Sequence, residues 1–339
     1  MPMSRSSAIR VVSPDASNTP APQQRQAAHG SAAVRAEISA GLLATAAAIS
    51  PKYFYDGLGS KLFEAICELP EYYPTRTEAA IFARHGQDMA AAIGAGSALI
   101  DLGAGNCAKA AALFPLLRPA QYVPVDISHD FLTEAVSRLQ QRFPQIEMTA
   151  LGLDFSGGFA LPDSVRHQRR LFFYPGSSIG NFSPQQAVAF LRGLRANAGQ
   201  DGGLLIGVDL VKDKATLDAA YDDDLGVTAA FNLNLLRHLN HLAGADFDVR
   251  DWLHVAFFNQ EAGRIEMYLE ARSALTVRWQ DGERQFARGE RIHTEYSYKY
   301  TQAAFVELLA HSGFEAAQTW TDERAWFAVI HARVQAGPD

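Results

Sequence analysis

Asp101-Leu102-Gly103-Ala104-Gly105 joins an apolar run (Ala98, Leu99, Ile100) to a segment of helical character from Ala108 to Leu113. Glycines at a strand-to-helix turn let a ligand approach the backbone, and the first helical turn leaves amide N–H groups to meet it. That chemistry suits a nucleotide-like cofactor. Two further acidic positions follow: Asp126, 23 residues after Gly103, and Asp154 with Phe155, each closing an apolar segment. Gly103-x-Gly105-x-x-Ala108 also satisfies the dinucleotide fingerprint, so the turn alone does not choose the cofactor.

A sheet must hold these positions. Tyr122 to Asp126, Met148 to Leu153, Arg170 to Tyr174 and Gly203 to Leu210 read as strands beside Ala98 to Leu102, with helical patterns at about 130–142 and 184–196 between them. Five strand signals alternating with helices predict a parallel, doubly wound α/β sheet, whose ligands gather at the carboxyl ends of the strands. Asp101, Asp126, Asp154, the loop Pro175 to Asn181 and Asp209 fall at or just beyond such ends. A helix (Gln302 to Ala310), Gly313-Phe314 and strands near 315–320 and 326–334 close the sheet.

Helices precede the first strand. A helical pattern runs from Val34 to Ile49, and Leu58, Leu62, Phe63, Ile66 and Leu69 share one face of the next helix. Thr75-Arg76-Thr77-Glu78 has the form of a capping box for a third helix reaching about Ile93. Tyr53, Phe54, Tyr55, Tyr72 and Tyr73 cluster at segment ends, where each hydroxyl needs a partner and where binding residues concentrate. Residues 214–244 read as helical, with Asp222-Asp223-Asp224 as a solvated loop. From Asp248 to Tyr300 the pattern turns to antiparallel strands (His254 to Phe258, Arg264 to Glu270, Leu275 to Trp279, Gln285 to Phe286). Residues 1–33, rich in Ala, Ser, Pro, Gln and Arg, read as a disordered tail.

Composition narrows the class. The 339 residues are 48% hydrophobic and 20% charged with a net charge of −7, so the chain buries a real core and carries no basic field for nucleic acid or anionic lipid. A small-molecule substrate is expected, with no nucleic acid and no membrane as partner. Cys67 and Cys107 make neither a metal-ligand pair nor a disulfide framework, and no secretory signal or membrane span is present, which places the expected enzyme in the cytoplasm. No metal is expected. Cys107 reads as a packing residue.

Three features turn the glycine turn towards S-adenosyl-L-methionine. Asp101 gives acid-x-Gly-x-Gly, where a carboxylate could accept from the cationic methionyl portion. Asp126 is placed for ribose hydroxyls. Asp154 can take the adenine amino group while Phe155 covers the ring. The closing helix and strand pair resemble the ending of the class I methyltransferase fold.

The blocks YFYDGLGSKLFEAICELPEYYPTRTE, DLGAGNCAK, YPGSSIGNF, DLVKD, AYDDDLGVTAAFNLNLL and IHTEYSYKY resemble those of the histidine-specific Nα-methyltransferases, which make hercynine in ergothioneine biosynthesis. The resemblance runs in block order from about Leu42 to Val334. It implies a Rossmann-like class I methyltransferase core (76–213 and 301–339) with a second α+β substrate-binding domain, built from helices at 34–75 and an insertion at 214–300. It implies that the cofactor meets Tyr55, Gly103, Lys109, Asp126, Asp154, Phe155, Ser177 and Ser178. L-Histidine would meet Tyr55, Tyr72, Gly176, Asn181, Tyr221, Met267, Glu295 and Ser297, and the chain would act as a monomer.

The residue types suit those roles. Asn181 and Tyr221 can bind an α-carboxylate without a strong counter-charge. Glu295 and Ser297, two apart and so on one side of an extended segment, can bracket the imidazole nitrogens. A carboxylate accepting from the ring favours histidine over an apolar amino acid, and losing such a partner costs ~1.5–3 kcal/mol. Tyr55 and a water near Asn181 are the expected catalytic groups, orienting the amine and accepting its proton; tyrosines can also face the growing cation. Tyr296 points to the opposite side of the strand. The competing readings are a methyltransferase for another amino acid, such as a tryptophan derivative, and a NAD-dependent oxidoreductase.

Overall fold

The computed structural model describes residues 10–12, 23–127, 129–155 and 158–335. The chain divides into two compact units, one of Met1–Ala16, Thr77–Leu210 and Tyr300–Asp339, the other of Ser17–Arg76 and Val211–Lys299.

The first unit is built on an eight-stranded sheet in the order Arg10–Val12, Glu147–Gly152, Gln121–Asp126, Ala98–Leu102, Arg170–Tyr174, Gly203–Asp209, Phe327–Val334, Phe314–Thr321. The first six run parallel, and the last two add an antiparallel edge. Every residue of Ala98–Leu102, Arg170–Tyr174 and Gly203–Asp209 is buried, as expected of strands covered on both faces. From Ala98–Leu102 the chain moves outward through two strands and then crosses to Arg170–Tyr174 on the other side. Strand order therefore reverses beside the glycine turn, which is where an open parallel sheet leaves a ligand crevice. Leu99, Tyr122, Phe173, Leu205 and Val329 of the sheet pack with Phe114 and Val136 of the helices Ala108–Leu117 and His129–Arg142 to form the core.

The second unit holds the helices Gln23–Leu43, Gly57–Glu68 and Val227–Ala243, a three-stranded antiparallel sheet with Arg264–Ala271 between Trp252–Asn259 and Arg291–Tyr298, and a hairpin of Leu275–Trp279 with Gly282–Phe286. A shift of register between His293 and Glu295 sets Glu295 opposite Met267 and Ser297 opposite Ile265. Asp56 starts the helix Gly57–Glu68 by accepting from the Gly59 amide at 2.6 Å.

Several expectations change. The helix read over 34–49 ends at Leu43, because Ala47 and Ile49 give their backbone groups to His293 instead. Of the expected tail, Arg10–Val12 is a strand and 23–33 is helical, while 1–9 and 13–22 lie outside the described residues. The helix read from Thr75 begins at Tyr73, with Pro74 in a first turn where no amide is needed. Thr75 therefore sits inside the helix, its hydroxyl on Cys67 Sγ at 3.3 Å, and Glu78 is no capping residue. Asp223 is buried rather than solvated: burial disfavours its charge, yet bonds from the Thr228 and Val227 amides prevail and hold its pKa below the usual range.

Asp101 is another correction. Its carboxyl is 2% exposed and accepts from Tyr122 Oη at 2.7 Å, so it serves the core and not a cationic ligand. Burial pushes its pKa up to about 7, against the pull of the Tyr122 bond and Lys109. Among the described residues no helix is long and apolar enough to cross a membrane.

Tyr122→Phe leaves this buried acid without its donor, and we expect a loss of about 1–3 kcal/mol in urea unfolding at pH 8. An unchanged midpoint would show that the bond contributes nothing net.

Candidate active site

In the first unit the glycine turn is pinned to its neighbouring strand. The Gly103 and Ala104 amides donate to the Val125 carbonyl at 2.9 and 3.1 Å, and the Gly105 amide donates to Asp126 Oδ2 at 3.0 Å. Gly103 and Gly105 take positive φ (70° and 50°), a conformation costly for any residue with a Cβ. Asp126 thus shapes the turn from the carboxyl end of its own strand. A Cβ on Gly103 would stand 3.8 Å from Phe155 Cζ, so the Phe155 ring closes over the turn, supported by Tyr174 and Phe190 with ring centroids 6.1 Å away in each case. Asp154, beside it, is exposed. Cys107 is buried at the helix entrance, and burial pushes its thiol up to about 12, as fits a packing residue.

Glu78 joins this turn to the loop after the strand Arg170–Tyr174. Only 1% exposed, its carboxylate accepts from Lys109 Nζ at 2.6 Å and from the Gly176 amide at 2.7 Å. Gly207 leaves it room, since a Cβ there would lie 2.2 Å from Glu78 Oε1. Gly176 and Ser177 both have positive φ, and the buried Ser177 hydroxyl accepts from the Asp209 amide at 2.8 Å. Ser178 donates to the Pro175 carbonyl at 3.4 Å and opens the short turn Ser178–Asn181, which carries the half-buried Asn181. Gly103, Lys109, Phe155, Gly176 and Ser177 are therefore one connected group. Local spacing gives Glu78 only the form of a capping residue, because nothing near it in the chain reports its partners.

The second unit gathers the rest. Tyr55, 45% exposed, sets its ring edge-on to Phe63 and Phe231. Tyr72 packs edge-on to Phe63 and Tyr221, and its burial pushes its pKa well above the ordinary value. Tyr221 Oη donates to Ser297 Oγ at 3.0 Å, and Lys299 Nζ donates to both, at 2.9 and 2.8 Å. Lys299 also went unread in the sequence; its place one step along the same side of the strand as Glu295 and Ser297 was the available signal. Met267 is buried directly across from Glu295. Burial pushes the Glu295 carboxyl up to about 7, and Lys299 opposes that shift.

His254 anchors Tyr221 from behind. Its Nδ1 faces the Asn232 Nδ2 amide at 2.8 Å and its Nε2 faces the Tyr221 carbonyl at 2.9 Å. The amide can only donate, so Nδ1 accepts and the proton sits on Nε2, giving a neutral ring; burial lowers its pKa accordingly.

Each unit thus presents a distinct chemistry. The first offers a backbone cradle covered by an aromatic ring with a lysine beside it; the second offers a carboxylate, a hydroxyl and a thioether around a tyrosine-lined surface. A model of a histidine-specific, SAM-dependent methyltransferase family matches residues 34–334. A histidine N-alpha-methyltransferase of Mycolicibacterium smegmatis is 40% identical over 303 residues, 88% of this chain and 94% of that protein. One from Mycobacterium tuberculosis is 39% identical over 306 residues, with the same coverage of each. Ergothioneine biosynthesis protein 1 of Neurospora crassa is 31% identical over 278 residues, 79% of this chain but 31% of that larger protein.

The raised pKa of Glu295 has a sign. Between its ordinary 4.5 and about 7 the folded chain keeps a proton that the unfolded chain has released, so this group's contribution to stability falls as pH rises through that window. Glu295→Gln is therefore expected to raise the thermal midpoint more at pH 8 than at pH 5. Equal shifts at both pH values would contradict the assignment.

Proposed function

This chain belongs to the histidine-specific, S-adenosylmethionine-dependent methyltransferase family, and on that premise we propose that it trimethylates the α-amine of L-histidine to hercynine, the opening step of ergothioneine assembly. The observation that carries the substrate is the strand bearing Glu295 and Ser297, an acceptor and a hydroxyl on one side of an extended segment, opposite the thioether of Met267. An imidazole offers two ring nitrogens to such a pair and a polarisable face to the thioether.

The cradle fits the methyl donor. Gly103 at positive φ keeps bare backbone beside the Phe155 ring, which suits a flat ring held against it, and Asp126 closes the strand from which ribose hydroxyls are reached. Asp154, Ser178 and Tyr55 complete the proposed cofactor contacts, with Lys109 at the methionyl end. S-Adenosylmethionine supplies a methyl group already activated on sulfonium, so the protein's task is alignment rather than acid–base power. The attacking amine must be neutral, and Tyr55 with a water near Asn181 orients it and receives its proton. The Asn181 amide offers a donor to the α-carboxylate, and Gly176 lines the same end. Tyr221, whose hydroxyl is bonded to Ser297 and Lys299, supports the nitrogen-binding end instead. Tyr72 and Tyr55 turn aromatic surface to the growing ammonium. We propose that the enzyme works as a monomer in the cytoplasm on the free amino acid.

Histidine incubated with the protein and S-adenosylmethionine should gain one, two and then three methyl groups by mass spectrometry; no added mass would sink the reading. Tyr55→Phe should slow turnover by about 10²-fold or more if the hydroxyl handles the amine proton. Glu78→Gln removes the charge that holds Lys109, and calorimetry with S-adenosylhomocysteine should show affinity reduced about tenfold. Unchanged affinity would remove Glu78 from the cofactor's support.

A further inference from the structure

Lys299 is a buried lysine, 5% exposed, for which the proposed reaction gives no role. Its backbone amide donates to the Gly263 carbonyl at 2.9 Å, which fixes its position just past the strand Arg291–Tyr298. Its amine closes a ring with two hydroxyls: Nζ to Tyr221 Oη, Nζ to Ser297 Oγ, and Tyr221 Oη to Ser297 Oγ. The amine also stands 4.8 Å from the centroid of the Tyr221 ring.

The hydrogens of that ring are countable. A lysine ammonium has three donors and no acceptor, so both of its contacts run outward and take a lone pair on each hydroxyl. The Tyr221 proton lies in its contact with Ser297. Ser297 Oγ then accepts from Lys299 and from Tyr221, which leaves the Ser297 proton to point at a ligand. Two residues along the same side of the strand, Glu295 is an acceptor when ionised. A donor and an acceptor stand side by side, and Lys299 decides which is which.

Resting on the reading of histidine as substrate, we propose that Lys299 is a positioning residue that makes Ser297 a hydrogen-bond donor, so that the site selects the neutral imidazole in one tautomer and rejects the imidazolium. An imidazole with one N–H and one bare nitrogen fills both contacts. An imidazolium has two N–H groups; one of them would confront the Ser297 proton, and its charge would face that of Lys299. Tyr72 and Tyr221 face the Glu295 side of this strand, with Tyr55 and Cys67 around Tyr72, while the cations against the strand are engaged elsewhere: Arg264 packs on Tyr296 and Tyr298, which alternate to the other side, and Arg291 donates to Glu270. The lysine also opposes the burial that drives Glu295 towards its protonated form.

The wild-type enzyme provides the first test. Histidine is compared with its triazole analogue, whose weakly basic ring keeps a donor and an acceptor but stays neutral in mild acid. Protonation of Glu295 affects both ligands alike, so the ratio of their KM values reports ligand ionisation alone. The KM of histidine relative to the analogue should rise about tenfold between pH 7.5 and 5.5, since an imidazole with a pKa of about 6.5 is about one-tenth neutral at the lower pH. A flat or falling ratio overturns the proposal. The second test is Lys299→Met, checked for folding by retained S-adenosylhomocysteine binding. Its KM for histidine at pH 8 should rise about tenfold with kcat little changed, and the acid-dependent rise of the ratio should shrink. Adding Lys299→Met to Ser297→Ala should cost much less than in the wild-type background, whereas additive losses would mean that Lys299 does not act through Ser297. If Lys299→Met does not fold, the wild-type ratio decides. Methylation of histidine with a flat ratio defeats this inference alone; no methylation of histidine defeats the reading beneath it as well.

Discussion

A carboxylate taken out of water must find donors, and Glu78 finds two that belong to different parts of the cofactor unit. The Lys109 amine and the Gly176 amide converge on it from a helix that follows the glycine turn and from the loop after the strand Arg170–Tyr174. Losing either donor leaves the buried carboxylate short of a partner, at a cost greater than the bond itself. The two segments are therefore held at a fixed separation across the switch point of the sheet. Gly207 belongs to the same constraint, because only a residue without a Cβ leaves space for Glu78 on that strand.

The second unit solves a different electrostatic problem by similar means. Glu295 and Lys299 are both drawn into the protein, and the lysine opposes what burial does to the carboxyl. The lysine gives two of its three donors to the hydroxyls of Ser297 and Tyr221. The placement of Tyr221 depends in turn on His254, whose neutral tautomer is enforced by Asn232. The side chains that recognise a ligand are thus held by others that do not meet it.

Much of the architecture was legible because it rests on patterns of period two and on short apolar runs. Strands buried on both faces, such as Ala98 to Ile100 and Leu171 to Tyr174, announce themselves as continuous hydrophobic segments. Parts governed by contacts distant in the chain were misread in a consistent way. Thr75 and Glu78 have the spacing of a capping box, and Asp101 has the position of a ligand acid. Yet Pro74 moved the helix start, Glu78 found partners 31 and 98 positions away, and Asp101 was taken by Tyr122 across the adjacent strand. Asp223 looked like one of three solvated acids until a helix start claimed it. In each case the residue type was noticed and the partner was not, since local spacing carries no record of what folding brings alongside.

The same blindness explains why Lys299 escaped notice while its neighbours did not. Glu295 and Ser297 carry groups that a ligand can meet, so a reading guided by substrate chemistry finds them. A lysine two positions further on is ordinarily a solvated charge, and only its burial against two hydroxyls changes that meaning. The distinction is one of hydrogen-bond direction. A serine hydroxyl is by itself indifferent, able to donate or accept, and a pocket built from a serine and a carboxylate alone could hold an imidazole in more than one protonation state. A fixed cation behind the serine removes that indifference. Specificity for a heteroaromatic ring then depends less on the residues that touch it than on the one that sets their polarity.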